Sequence, residues 1–513
     1  MSPATSAYDA VVVGGGHNGL VAAAYLARAG VRVLVLERAE RIGGAAITEE
    51  PWPGYRVSIA SYVCSLLHPE IVADLALRAH GYDAYRKDPW SFTPLRDGRS
   101  LLLSLDHAHN VREISAFEPR DVAGFEAFER ERDRLGATLA AAFDVADPAD
   151  IGVDGATRRG LEGSAADLVE RYVTTPVLQA ELVNDGLIGT YAGPRDAGTA
   201  YVLAYHNAGR ALGVQGAWGF VRGGMGAISQ AIAASAMAAG AEIVTDAPVA
   251  HIRVAGGRAR AVVLADGREI AADAILSNAD PVATFRTLLN ASDLPSLVRA
   301  RLDAWRIEGV SLKLNLALGE LPNFTARPGT APQPHHRASL HVAPSIDYLQ
   351  AACDDARAGS VSRAPLIEGF MQTLTEPEMV PAGKHVLSIF AQYFPYHRGD
   401  GPWTAAQRED AADVIVAQLA EVAPNLPGAI EHRQILAPPD LEAKIGLTGG
   451  HIFHGELLPG QIFEDRFAAR TGIDGLYLCG SGAHPGGCVS GIPGRHAATA
   501  AVHDLRALRG APA

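Results

Sequence analysis

Cysteine is scarce. Only four occur in 513 residues, Cys64, Cys353, Cys479 and Cys488, and no two form a CxxC or CxxxxC pair. That spacing excludes a local redox dithiol and a local zinc quartet, and leaves reduced thiols as the simplest reading. Long apolar runs are absent too: no stretch approaches the roughly 18 residues of a membrane span. Only seven residues precede the first apolar run, too few for a signal peptide or an Arg-rich presequence, so a cytoplasmic location is expected. Positive charge is in deficit. Lys and Arg total 44 against 57 Asp and Glu, a net charge of −13, which argues against a nucleic-acid partner. What the chain has instead is a globular composition, 48% apolar and 20% charged, with 54 glycines suited to tight turns and close backbone approach. The length corresponds to about three domain equivalents.

The first forty residues carry the clearest pattern. Ala10-Val11-Val12-Val13 is a short apolar run of the kind that forms a parallel strand covered on both faces. Gly14-Gly15-Gly16-His17-Asn18-Gly19 follows, then a helical spacing of Leu20, Ala23, Ala24 and Ala27, with Gly30 placed to end the helix. Val31 to Leu36 is a second apolar run and Glu37 follows it directly. Strand, glycine turn, helix, strand, acid is the context in which Gly14, Gly16 and Gly19 read as a dinucleotide-binding fingerprint. Gly14 permits the turn, Gly16 lets backbone approach a pyrophosphate, and Gly19 lets the helix pack close to the strand. The helix N-terminus presents free N–H groups to phosphate, and Glu37 stands where a carboxylate accepts from an adenosine ribose. The motif alone does not separate FAD from NAD.

A second glycine cluster lies near the other end. Leu476–Cys479 is a short apolar strand; Gly480-Ser481-Gly482-Ala483-His484-Pro485-Gly486-Gly487 leads through Gly491 to an alanine-rich helix from about Ile492. The two clusters together resemble the two-dinucleotide-binding-domain flavoproteins, and within them the phytoene-desaturase-like group, most closely the pyridine nucleotide-disulphide oxidoreductase domain-containing protein 2 subfamily. Gly446-Leu447-Thr448-Gly449-Gly450-His451-Ile452-Phe453-His454-Gly455-Glu456 and Trp218 with Gly223-Gly224-Met225-Gly226 extend the resemblance over most of the chain. It implies an α/β fold with α+β inserts: an FAD-binding Rossmann-like domain with an inserted mixed substrate domain. It implies bound FAD, with Gly43 and Gly44 helping to hold it, the backbone of Val249 at the adenine, and the Gly480–Gly491 loop beside the ribityl chain and flavin. Many relatives carry Asp after the C-terminal strand where this chain has Ser481, so a hydroxyl or backbone contact replaces that charge. The cysteine pair of a disulphide oxidoreductase is absent.

The expected organisation is discontinuous. Residues 1–70, 215–285 and 441–513 form the FAD domain, 71–214 a mostly helical substrate or cap region, and 286–440 the substrate domain. Phe117–Leu139 reads as one charged helix with Glu126, Arg130 and Arg134 at i,i+4 steps. Hairpin signals stand at Gly256-Gly257 and Asp266-Gly267. Val310–Leu318 and His385–Tyr393 read as strands. Pro322–Pro344 reads as a loop whose His335-His336 pair is solvated. For chemistry, His451, His454 and Glu456 are the candidate acid–base residues, unless they serve as packing residues beneath the flavin; their spacing is not that of a metalloprotease, and no metal is expected. His484 either touches FAD or braces its loop, and Arg495 either balances cofactor charge or makes a surface ion pair. Ser61, His68, His206 and Asn207 are further cavity candidates.

The resemblance implies an FAD-dependent oxidoreductase that transfers hydride to or from C–C bonds of a hydrophobic or amphipathic small molecule. A carotenoid desaturase, with peripheral membrane contact, is one alternative; the net negative charge disfavours it at an anionic lipid surface. A non-enzymatic FAD-bound partner protein is the other.

Overall fold

The computed structural model describes residues 8–510. Residues 1–7, in which the sequence predicts no leader, lie outside that range. Strand β1 (Tyr8–Val13) runs straight into the glycine turn, helix α1 (His17–Arg28) and strand β2 (Val33–Leu36). The apolar run is buried on both faces because β1 is central. It pairs in parallel with β2, Ala10 opposite Val33, and on its other side with β3 (Glu269–Ser277), Ala10 opposite Ala274. Leu476–Leu478 joins β3 and Glu242–Val244 joins β2, also in parallel, so three separate stretches of chain build one sheet. The first half of β3 instead closes an antiparallel meander with Val249–Ala255 and Arg258–Leu264. Its first turn has φ +60° at Gly256 and +75° at Gly257, the double left-handed geometry that a two-residue hairpin requires. Helix α1 packs on this sheet side by side with the terminal helix Ile492–Leu508. The contact is so close that a Cβ on Gly494 would sit 2.2 Å from the Asn18 carbonyl oxygen.

A second seven-stranded sheet runs in the order Ile430–Leu436, β4 (Ser311–Leu318), His385–Gln392, Leu366–Phe370, Ser339–Val342, Ser91–Pro94, Ser100–Leu103. Neighbours are antiparallel except Ser339–Val342 with Ser91–Pro94. The two-residue period of a strand divides it into unlike faces. Leu312, Leu314, Leu316 and Leu318 pack with Ile367, Leu387, Ile389 and, from the helix Ala405–Ala420, Ile415 and Leu419. The alternate positions, Ser91, Thr93, Lys313, Ser339, His341 and Glu368, are polar and buried on the opposite face.

Three expectations need correction. Region 71–214 is helical over long stretches, including α2 (Asp121–Phe143), yet it also supplies the strands Ala84–Arg86, Ser91–Pro94 and Ser100–Leu103, two of which complete the second sheet. Helix α2 starts after Pro119, and its ion pairs are Glu129–Arg132 and Glu131–Arg134 at i,i+3, while Glu126 faces His107. The proline-rich loop contains a 3₁₀ turn and the strand Ser339–Val342. His335 and His336 are buried rather than solvated: their rings lie 4.1 Å apart, packed against Phe324, with His336 Nε2 2.8 Å from the Pro322 carbonyl oxygen. Among the described residues no helix is long and apolar enough to cross a membrane.

Candidate active site

The glycine turn is built by main-chain contacts. Gly14, at φ +100°, donates its N–H to the Leu36 carbonyl oxygen at 2.8 Å. The Gly15 N–H donates to Glu37 Oε2 at 2.7 Å and the Ala39 N–H to Oε1 at 2.9 Å, so Glu37 locks the turn to the end of β2 as well as lining the space above it. Asn278, just after β3, lies beneath. A Cβ on Gly16 would approach Asn278 Nδ2 to 2.6 Å, and one on Gly19 would approach the Gly14 carbonyl oxygen to 2.3 Å. Gly43, at φ +123°, donates its N–H to the Gly15 carbonyl oxygen at 2.9 Å and forms a bridge with Gly16. No side chain caps the start of α1. The N–H groups of its first turn therefore face a concave cradle with the positive end of the helix dipole.

From this cradle a cavity of about 650 Å³ extends to the polar face of the second sheet. Gly14, Gly16, Glu37, Gly44, Val249, Ser481 and His454 line it, as do Ser61 and His206. Gly19, Gly43, Gly480 and Gly491 do not; they shape the backbone behind the lining. Gly480 sits where a Cβ would meet the Asn278 carbonyl oxygen at 2.5 Å, and Gly491 turns at φ +79° into the terminal helix. The Ser481 hydroxyl accepts from Asn18 Nδ2 at 3.2 Å, tying the two glycine clusters together. Arg466, fully buried, donates to the carbonyl oxygens of Phe453, Glu456, Gln461 and Ser481, and so holds the His451–Glu456 segment against the C-terminal loop.

His451, His454 and Glu456 are not brought together at the cavity. Glu456 accepts from Thr190 Oγ1 at 2.5 Å and the Tyr191 N–H at 2.9 Å, and lies 3.4 Å from His451 Nε2, while His451 Nδ1 accepts from the Phe453 N–H. Both are spent on fixing the segment. Only His454 reaches the cavity, at φ +59°, and burial pulls its imidazole down to about 4. His484 braces its loop through Nε2 to the Ala142 carbonyl oxygen at 3.1 Å. Arg495 pairs with Glu70 and Asp144, His68 stands by Asp144 at 3.3 Å, and Asn207 bonds to the Arg132 carbonyl oxygen and Asp133.

At the far end stands a cluster that motif reading missed. His341 lies between two carboxylates, Nδ1 2.8 Å from Glu181 and Nε2 3.5 Å from Glu368. Burial alone would lower its pKa, but the Glu181 charge and hydrogen bond, with Glu368, raise it to about 10. Lys313 donates to Ser388 Oγ at 2.5 Å and lies over the Tyr62 ring, and burial lowers it to about 7. Lys87 contacts the Ser339 hydroxyl and the face of Phe370, and burial lowers it to about 8. Beside them His206 Nδ1 lies 2.7 Å from the Asp185 carbonyl oxygen and its Nε2 faces Cys488 Sγ at 3.3 Å. All four cysteines are free, in keeping with the missing dithiol. The available signal was the Ser-Leu-Lys-Leu-Asn-Leu alternation of β4, whose polar phase points into the site.

The profile of flavin-containing amine oxidoreductases matches residues 19–307, more than half the chain. The protein belongs to that family. It is therefore an FAD-dependent oxidoreductase, with a Rossmann-type FAD domain and a substrate domain. It is 40% identical to the mouse pyridine nucleotide-disulfide oxidoreductase domain-containing protein 2, over 97% of this chain and 94% of that one. To the lycopene-forming phytoene desaturase of a Paracoccus strain it is 26% identical over 98% of each chain, so the desaturases are more distant relatives. A cofactor-binding variant of putrescine oxidase superposes with a TM-score of 0.65 at 16% identity, covering 98% of this chain and 100% of that one, which speaks for the fold alone. The residues present fit the flavin-containing amine oxidoreductase cofactor. A Cβ on Gly16 would displace Asn278, which lines the cradle with it, and the buried His17 Nε2 and Asn18 Oδ1 beside it have no partner in the protein.

Proposed function

We propose that the protein transfers hydride from a C–H bond of an amphipathic small molecule held against the polar face of the second sheet. The observation that carries this reading is the continuity of one cavity from the glycine cradle to Lys313, His341 and Glu368. FAD, when bound, supplies the hydride acceptor. Gly14, Gly16 and Gly44, with the first turn of α1, would hold its pyrophosphate; Glu37 would meet its ribose, the Val249 backbone its adenine, and the Ser481 hydroxyl its flavin side. Gly19, Gly43, Gly480 and Gly491 keep that backbone in place.

A dehydrogenation also releases a proton. Lys313 is the cavity residue suited to take it: its ammonium is lowered to about 7, so a neutral amine is present near physiological pH. This role was expected of His451, His454 or Glu456. Tyr62, whose ring lies beneath the Lys313 Nζ, and the cross-strand neighbour Phe390 flank Lys313, which is buried. A carotenoid hydrocarbon offers nothing to Lys87 and Lys313, which line the cavity buried and without a carboxylate partner.

The test is anaerobic mixing of flavin-loaded protein with a panel of amphipathic alkenes, alcohols and amines across a pH series. One class is expected to bleach the flavin, with a rate constant that falls as pH drops below about 7. Lys313→Met should keep the flavin and lose that pH dependence. A loaded flavin that no member bleaches, or a protein that retains no flavin after reconstitution, overturns the reading.

A further inference from the structure

The chain contains only four lysines, Lys87, Lys313, Lys384 and Lys444. Two are surface partners of carboxylates, Lys384 with Glu431 and Lys444 with Glu49. The other two are buried and line the same cavity. Among the described residues neither Lys87 nor Lys313 has a carboxylate within ion-pair distance. Lys87 has the Ser339 hydroxyl and the Phe370 ring beside it, with Glu368, Asp185 and Glu181 acting on its charge only from beyond ion-pair distance, and a buried ammonium so placed is expensive because a dry site offers little to replace its hydration.

The acids nearby do not fill this gap. Glu181 and Glu368 are both turned to His341, and Glu181 also accepts from Thr93 Oγ1 at 2.9 Å. Asp185, another acid of the lining, is pushed by burial toward its neutral form, and none of the other lining acids, Glu37, Glu129 and Asp133, makes an ion pair with either lysine. Glu181 and Glu368 are turned to His341 rather than to the lysines, so the buried Lys87 ammonium faces the cavity with no carboxylate at hydrogen-bonding distance.

One wall of the cavity is apolar. Leu182, Ile188 and Leu203 lie along it, and its opening is flanked by Leu105 and Val214, 51% and 47% exposed, two of the few large apolar side chains that face solvent. We propose that the substrate is an amphipathic organic acid whose carboxylate is held by Lys87 while its apolar body lies along Leu182, Ile188 and Leu203 toward Leu105 and Val214. This rests on the proposed hydride-transfer reading and names the substrate class for that site. Lys313 keeps the proton-accepting role, and Lys87 is the anchoring residue.

Binding of octanoate, 1-octanol and octylamine to the FAD-loaded protein, measured by titration calorimetry, tests it without turnover. Octanoate is expected to bind at least about tenfold more tightly than either neutral or cationic analogue, as a charge-assisted hydrogen bond in a buried site implies. Lys87→Met should erase that preference with flavin content unchanged, and Lys87→Arg should restore part of it. Equal binding of octanol, preference for octylamine, or an octanoate preference that survives Lys87→Met overturns the proposal. Where Lys87→Met does not fold, the ligand series on the unaltered protein decides. Flavin that stays oxidised while octanoate still binds preferentially would count against hydride transfer alone; bleaching by neutral substrates with no acid preference would count against the anchor alone.

Discussion

Buried charge sets the character of single residues in this protein. His341 is the extreme case, an imidazole fixed between Glu181 and Glu368 with almost no solvent contact. His341→Leu leaves two buried carboxylates without a cation and is expected to cost about 3–5 kcal/mol of unfolding free energy, read from urea denaturation near neutral pH. Because its folded pKa is raised to about 10 from 6.5, the stabilisation it provides is fully present below 6.5 and is lost as pH rises through 10. Titration of the imidazole resonances by NMR should show one signal that stays protonated well above pH 8, absent in His341→Leu. If every imidazole is neutral by pH 8, the charged Glu–His–Glu arrangement is wrong.

At the scale of elements, the glycines divide by what stands opposite them. Gly19 lets α1 settle onto the turn after β1, where an added methyl would press the Gly14 carbonyl oxygen at 2.3 Å. Gly19→Ala is therefore expected to lose about 1–3 kcal/mol and to lower the flavin-to-protein ratio, since the cradle moves with the helix. Gly30 ends the same helix at φ +78° with nothing within 4 Å of a Cβ. Gly30→Ala should cost about 1 kcal/mol of backbone strain and leave the flavin ratio unchanged. Equal loss of flavin in both variants would show that helix stability, not the close contact, controls the cradle. The sequence anticipates both roles, because each follows from local spacing in the strand–turn–helix unit.

Across the whole molecule, burial has neutralised several histidines. His17 and His496 are lowered to about 3, His454 and His484 to about 4, each mainly by burial. Below 6.5 the unfolded chain takes up protons that these native imidazoles refuse, so stability falls as pH drops from about 6.5 toward 4. The thermal midpoint at pH 5 is expected to lie well below that at pH 7, and His484→Gln should lessen the drop. A flat profile between those values would contradict the burial of these rings. His17, His454 and Ser481 line the cavity from separate stretches of the chain, so bound FAD should raise the midpoint at either pH, and its removal should lower it, by mass action.

The sequence by itself determined the strand–glycine–helix–strand–acid unit, the second glycine loop, the meander turns and the FAD family. All of these are encoded by residues close together in the chain, where turn chemistry and periodicity act directly. Tertiary structure decided which residues meet. Glu456 and His451 are close in sequence to His454, yet bonds to Thr190 and Tyr191, distant in sequence, draw Glu456 away from the cavity. Lys87, Glu181, His341 and Glu368 carry no motif, and they converge only because Ser91–Pro94 completes a sheet with strands more than two hundred residues further on. A strand's period says which side chains share a face. What that face looks onto is settled by the packing of distant segments, and here it is the cavity that leads to the glycine cradle.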